Sequence, residues 1–175
     1  MPNNYFLTGN VRTGKTTIIK ELVTELNLTA RGYTVGREGH EGNYITFFFI
    51  DPQIYFYQGI MKKEEDKIFA FRDNANKQWK VNLNVFNQTG VRMLSEGLCK
   101  DIVIIDEVGR FEAKAVAFQN KIFDILNTSK LVLGVLKEEK NLFLDQLFNN
   151  SDIQIFEVTI TNREKVKNDL LSLLL

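Results

Sequence analysis

The stretch that most constrains this chain is Gly9-Asn10-Val11-Arg12-Thr13-Gly14-Lys15-Thr16, which fits the pattern GxxxxGK[ST] and is followed by Thr17. The short apolar run Tyr5-Phe6-Leu7 precedes it. Behind it, Ile18, Ile19, Leu22, Val23 and Leu26 recur at helical spacing, with Lys20, Glu21, Thr24 and Glu25 between them. Strand, glycine loop and amphipathic helix form the setting in which such a loop wraps phosphates. Its amides turn inward, and side chains at the glycines would block the approach. The free amides and dipole at the start of the following helix add attraction for an anion. In this setting Lys15 brings a point charge to the outer phosphates and Thr16 offers a hydroxyl to magnesium. The competing reading is a polar turn capped by Thr, and a second motif weighs against it.

That motif is "DIVIIDEVG". Four apolar residues, Ile102 to Ile105, put Asp106 at the carboxyl end of a buried strand, where open α/β sheets bind ligands. This Walker B arrangement predicts that Asp106 holds magnesium, through water, opposite Thr16. Its alternative is a helix cap. Glu107 is the candidate to orient or deprotonate an attacking water, the alternative being an acid that tunes the metal shell or pairs with Lys. A transferring phosphoryl group also profits from a cation near its leaving oxygens, and Arg12, Arg110 and Arg163 are the candidates. The only histidine, His40, has no nucleophile elbow beside it and reads as a turn residue.

Along the remaining chain, Tyr44–Ile50, Ile54–Tyr57, Ile68–Phe71 and Trp79–Val85 read as strands of antiparallel hairpins, a β-rich insertion over roughly 40–85. The charge run "MKKEEDK" reads as a solvated turn. A helix is expected over Gln88–Cys99. After the Walker B strand, "EAKAVAFQNKIFDIL", "LVLGVL", "EEKNLFLDQLF", "IQIFEVTI" and "NREKVKNDLLSLLL" alternate helix and strand. Such alternation predicts an α/β fold, a mostly parallel sheet with helices on both faces. With 175 residues and no linker, residues 1–175 are expected to form a single domain.

Lys plus Arg and Asp plus Glu both count 22, so no global field draws the protein onto nucleic acid. The apolar runs are too short to span a bilayer, and "MPNNYFLTGN" lacks the features of a secretory signal, so a cytoplasmic protein without a membrane partner is expected. Cys99, the single cysteine, excludes an internal disulfide and reads as a small buried apolar residue.

Together these residues resemble the THEP1-like, or cancer-related, nucleoside-triphosphatase family. The likeness lies in GKTT at 14–17, in DEVGRFE at 106–112 against the family's DEIGxxE, and in VTITNR at 158–163 against its VTxxNR ending. It implies a P-loop three-layer sandwich and magnesium-dependent hydrolysis of ATP, GTP and other nucleoside triphosphates. It also marks Gly9 to Thr16 and the stretch around Ile102–Gly109 as nucleotide-contacting. The site expected from the residues themselves is Gly9 to Thr17, Asp106, Glu107 and Arg163 on the nucleotide, Lys15, Glu107 and Arg110 in catalysis, and Thr16 and Asp106 on the metal. The chain departs from the family at Val11-Arg12, where Pro-Gly is usual, and in "YTVGREGHEGNY", which replaces a GFYT-like segment. Two other function classes stay open at this point: a kinase acting on a small acceptor held by the β-rich region, with Arg37 and Arg72, and a nucleotide-dependent switch. No guanine-selective NKxD sequence occurs, and "TNRE" is a candidate neighbour of the base or ribose.

Overall fold

The strands are β1 (Asn4–Thr8), β2 (Ala30–His40), β3 (Tyr44–Ile50), β4 (Ile68–Asp73), β5 (Trp79–Val81), β6 (Ile102–Val108), β7 (Leu131–Leu136) and β8 (Ile153–Glu157). The helices are α1 (Lys15–Glu25), α2 (Pro52–Gln58), α3 (Val91–Gly97), α4 (Val116–Leu126), α5 (Leu142–Phe148) and α6 (Arg163–Leu174). This computed structural model describes residues 3–40, 44–73, 75 and 77–175.

The strands form one sheet in the order β5-β4-β3-β2-β6-β7-β1-β8. From β2 to β8 every pairing is parallel, and from β2 to β5 every pairing is antiparallel. The β-rich region therefore continues the main sheet. β2 joins the two halves: Ala30 to Tyr33 pair with β6, and Thr34 to His40 pair with β3.

The alternation of strand side chains builds two cores. Tyr5, Leu7, Ile102, Ile104, Leu133 and Val135 face one way, against Ile18, Ile19, Leu22 and Val23 of α1, Phe56 of α2, and Val166 and Leu170 of α6. Phe6, Val103, Ile105 and Val132 face the other way, against Leu94 of α3, Phe118 and Ile122 of α4, and Phe143 and Leu144 of α5. Helices thus cover both faces, and the buried strands need apolar residues at successive positions.

The local expectations fail in four places. Ile54–Tyr57 is helical, part of α2, because Asp51 caps that helix by accepting from the Gln53 amide at 2.9 Å. Pro52 pre-sets the first turn and Gly59, at φ 70°, ends it. The strand expected over Trp79–Val85 stops at Val81, and a π-helical stretch, Val85–Gly90, runs directly into α3. Cys99 is exposed, since it lies beyond the last turn of α3. His40 closes β2 instead of forming a turn, while the neighbouring 41–43 segment lies outside the described residues.

Candidate active site

The phosphate loop begins where β1 ends. Gly9 has φ 119°, and a Cβ there would stand 2.3 Å from the Val158 carbonyl oxygen, so this crossing beside the end of β8 demands glycine. The Val158 amide donates to the Thr8 carbonyl at 2.9 Å, which fixes the loop's exit from the sheet. Gly14, at φ 89°, opens α1. Lys15 Nζ donates to the carbonyls of Gly9 at 2.7 Å and Asn10 at 2.6 Å, and Thr13 Oγ1 donates to Asn10 at 3.0 Å, so the loop is tied into a ring. Burial lowers the pKa of Lys15.

Thr16 and Asp106 meet as expected, Thr16 Oγ1 donating to Asp106 Oδ1 at 3.2 Å. The sequence reading missed Thr34, whose Oγ1 donates to Asp106 Oδ2 at 2.6 Å. Asp106 is 2% exposed, and burial pushes its carboxyl up to about 6 in spite of both hydroxyl donors. A hydroxyl beside a buried carboxylate is a hard-oxygen pair suited to magnesium, which takes one or two protein oxygens and fills its remaining positions with water and phosphate. Among the described residues no cluster of three or more His, Cys, Asp or Glu is placed to hold a metal ion.

Next to Asp106, the register of β6 with β7 shifts between Asp106 and Val108, leaving Glu107 as an extra residue. Glu107 lines a cavity of about 280 Å³ together with Gly9, Asn10, Val11 and Lys15. Its Oε1 lies 2.6 Å from Lys137 Nζ. Lys137, with Glu138 and Glu139, completes that cavity from the segment after β7. Neither Thr34 nor Lys137 belongs to a motif, so only the pairing of strands far apart in sequence reveals them.

The three arginines separate. Arg110 stands over the rings of Trp79 and Phe111, at 5.9 and 5.2 Å from their centroids, and its nearest acid is Glu139 at 4.0 Å. It leans on the antiparallel region and does not line the cavity beside Lys15. Arg12 and Arg163 line a second cleft of about 290 Å³ with Thr13, Ile160, Thr161 and Glu164. Arg163 packs on Gly14, where a Cβ would stand 3.1 Å from its Cδ. Arg12 has φ 65°, a left-handed backbone at one of the two positions that replace the usual Pro-Gly. Val11 is 87% exposed and Thr17 is exposed on the first turn of α1. Before α6, Asn162 Oδ1 accepts from the Thr159 amide at 2.8 Å and its Nδ2 donates to Glu157 O at 2.9 Å, so the "TNR" turn is held rigidly.

Glu112, the last acid of the DEVGRFE run, is 2% exposed and accepts from the Gly109 amide at 2.9 Å. Burial pushes it up to about 7.

Parallel strand order, a glycine loop entering α1 and an acid ending β6 define a P-loop NTPase fold. The chain belongs to the family described as NTPase, whose model matches residues 4–171. It is 31% identical over 173 residues to a nucleoside-triphosphatase THEP1 from Thermotoga sp. strain RQ2, covering 96% of this chain and 93% of that one. Two solved structures share the fold. THEP1 from the hyperthermophile Aquifex aeolicus gives a TM-score of 0.71 at 21% identity, over 98% of both chains. A human cancer-related nucleoside triphosphatase gives 0.66 at 23% identity, over 98% of this chain and 96% of that one.

Proposed function

We propose that this protein is a magnesium-dependent nucleoside-triphosphatase, working as one domain over residues 1–175, that releases diphosphate and phosphate from ATP, GTP and related triphosphates. The observation that carries the reading is the contact of Thr16 with Asp106 beside a cavity shared by Lys15 and Glu107. Membership of a family whose relatives are named nucleoside-triphosphatases supports it.

The residues divide the work by position. The amides of Gly9 through Gly14 and the start of α1 bind the phosphate chain, and Lys15 shifts from loop carbonyls to the outer phosphates. Thr16 and Asp106 would hold magnesium, which when bound supplies charge neutralisation to the phosphate oxygens. Glu107 orients a water in line with the outer phosphorus. The water oxygen bonds to phosphorus, the bond to the bridging oxygen breaks, diphosphate leaves with that electron pair, and the water's proton passes to Glu107. Arg12 and Arg163, which share the cleft on the other flank of the loop, would serve the nucleoside end of the substrate. Arg110, turned toward Trp79, acts from outside the phosphate cavity.

A kinase needs room for an acceptor beside Glu107. The space bounded by Val35, Phe47, Phe69, Phe111 and Glu112 measures only about 10 Å³, so an acceptor would have to share the cavity of about 280 Å³ with the phosphates. The test is phosphate release from several triphosphates with magnesium and no acceptor, repeated with a chelator. Steady release that the chelator abolishes is expected. Release that starts only when a nucleoside or small alcohol is added would establish a kinase instead. The soluble cytoplasmic setting is part of this proposal, and among the described residues no helix is long and apolar enough to cross a membrane.

A further inference from the structure

Among the described residues, the cation that lines the phosphate cavity from outside the loop is a lysine and none of the three arginines. β7 lies between β1 and β6, so its carboxyl end opens between the loop that follows β1 and the acids that end β6. Lys137 is the first residue past β7, and its amide donates to the Val108 carbonyl at 2.9 Å, which fixes the backbone there. Its ammonium lies 2.6 Å from Glu107 and 5.9 Å from the centroid of the Phe47 ring. It shares the cavity of about 280 Å³ with Lys15.

We propose that Lys137 contacts the outermost phosphate of a bound triphosphate, exchanging its Glu107 partner for a phosphate oxygen and so leaving Glu107 free to accept a hydrogen bond from the attacking water. The proposal rests on the hydrolytic reading above and adds a catalytic residue to it.

A carboxylate facing a triphosphate repels it, whereas a carboxylate already neutralised by an ammonium does not. A phosphate chain carries more negative charge than one carboxylate and competes for the ammonium once it enters. A diphosphate lacks the group that reaches Lys137 and leaves the pair closed. The same exchange therefore couples recognition of the third phosphate to release of the group that activates water. Lysine suits this task because its stem is flexible and its ammonium is a point charge with rotatable donors.

The test compares wild type, Lys137→Met, Lys137→Arg and Glu107→Gln, all first checked for wild-type thermal unfolding. Two quantities are read: kcat for phosphate release, and the ratio of triphosphate to diphosphate affinity by calorimetry with magnesium. Lys137→Met should lose kcat by about 10²-fold, as for removal of one stabilising donor, and lose the affinity preference by about tenfold. Lys137→Arg should recover part of both. Glu107→Gln, which releases Lys137 from its ion pair, should bind triphosphate about threefold or more tighter while turning over slowly. Wild-type values of kcat and affinity ratio in Lys137→Met would overturn the proposal, as would unchanged triphosphate affinity in Glu107→Gln. Failure of the hydrolytic reading shows separately, as wild-type protein that binds triphosphate without releasing phosphate. The affinity ratios still decide the role of Lys137 in that event.

Discussion

The parallel and antiparallel halves of the sheet use their residues in opposite ways. At the carboxyl ends of β1, β6 and β7 the chain places Lys15, Glu107 and Lys137 around one cavity, with Thr16 hydrogen-bonded to Asp106 next to Glu107. The antiparallel strands β3 to β5 contribute mostly rings. Phe49 packs on Phe69 at 4.7 Å, on Tyr33 at 4.8 Å and on Phe86 at 5.4 Å between centroids, and Phe47 packs on Trp79 at 5.3 Å. The difference teaches that parallel strands, all pointing one way, gather loop residues at a single edge, whereas antiparallel strands alternate their ends and serve packing. A substitution in the antiparallel half should therefore act on stability and one in the parallel half on turnover.

Phe49→Ala makes the strongest attempt to break this division. Phe49 is fully buried and joins β3 to the core of α3 and α4, so its loss should cost about 3–5 kcal/mol of unfolding free energy. At a temperature where the variant stays folded, triphosphate affinity should match wild type. A large loss of affinity without a loss of stability would show that the rings belong to the site. Lys15→Ala is the counterpart: kcat/KM should fall by about 10²–10³-fold, with binding and turnover lost together. Its denaturation midpoint should stay near wild type, since burial already disfavours the charged ammonium.

How far the sequence disclosed this division follows from where information sits along the chain. The phosphate loop and the acid strand are local patterns, and Gly9, Gly14 and Asp106 occupy the places those patterns assign. The strand Tyr44–Ile50 was legible as a run of β-branched and aromatic residues. The α2 segment was not, because "IYFY" carries β-favouring residues and the cap Asp51-Pro52 overrides them. Thr34 and Lys137 lie in no pattern with Asp106 or Glu107, and only strand order brings them to it, whereas Glu112 closes the DEVGRFE run. Arg12 shows the reverse limit, since the departure from Pro-Gly was visible while the left-handed backbone that Arg12 adopts was not.

Glu112 sharpens the boundary between the halves, being buried among Val35, Phe47, Phe69 and Phe111 on one side and Glu107 and Lys137 on the other. Its carboxyl titrates at about 7 in the folded protein against an ordinary 4.5, because burial disfavours the charge. The folded state thus holds this proton more tightly than the unfolded chain. Its stabilisation is complete below 4.5 and is lost as pH rises toward and past 7. Glu112→Gln keeps an acceptor for the Gly109 amide and removes the titration. The variant should match wild type near pH 4.5 and exceed it at pH 8 by on the order of 1–3 kcal/mol in denaturant unfolding. Parallel pH curves for the two proteins would remove Glu112 from the boundary.

The smallest expected effect falls on the residue where the two halves meet. Thr34 is the first residue of β2 to pair with antiparallel β3, directly after Tyr33, the last to pair with β6. It is 1% exposed, and its hydroxyl holds Asp106 Oδ2 at 2.6 Å. Thr34→Val keeps the shape of the side chain and removes that donor, so a buried carboxylate loses one of its two hydroxyl partners. Ionised Asp106 then costs about 1 kcal/mol more, and magnesium-dependent kcat/KM should fall by about three- to tenfold at neutral pH. Because the Asp106 carboxyl, already near 6, moves higher still, the fall in activity on acidification should begin at a higher pH than in wild type. Thr34→Ser should restore the wild-type profile by returning the hydroxyl. If Val and Ser behave alike, the hydroxyl does not tune the acid, and the antiparallel half reaches the site by packing alone.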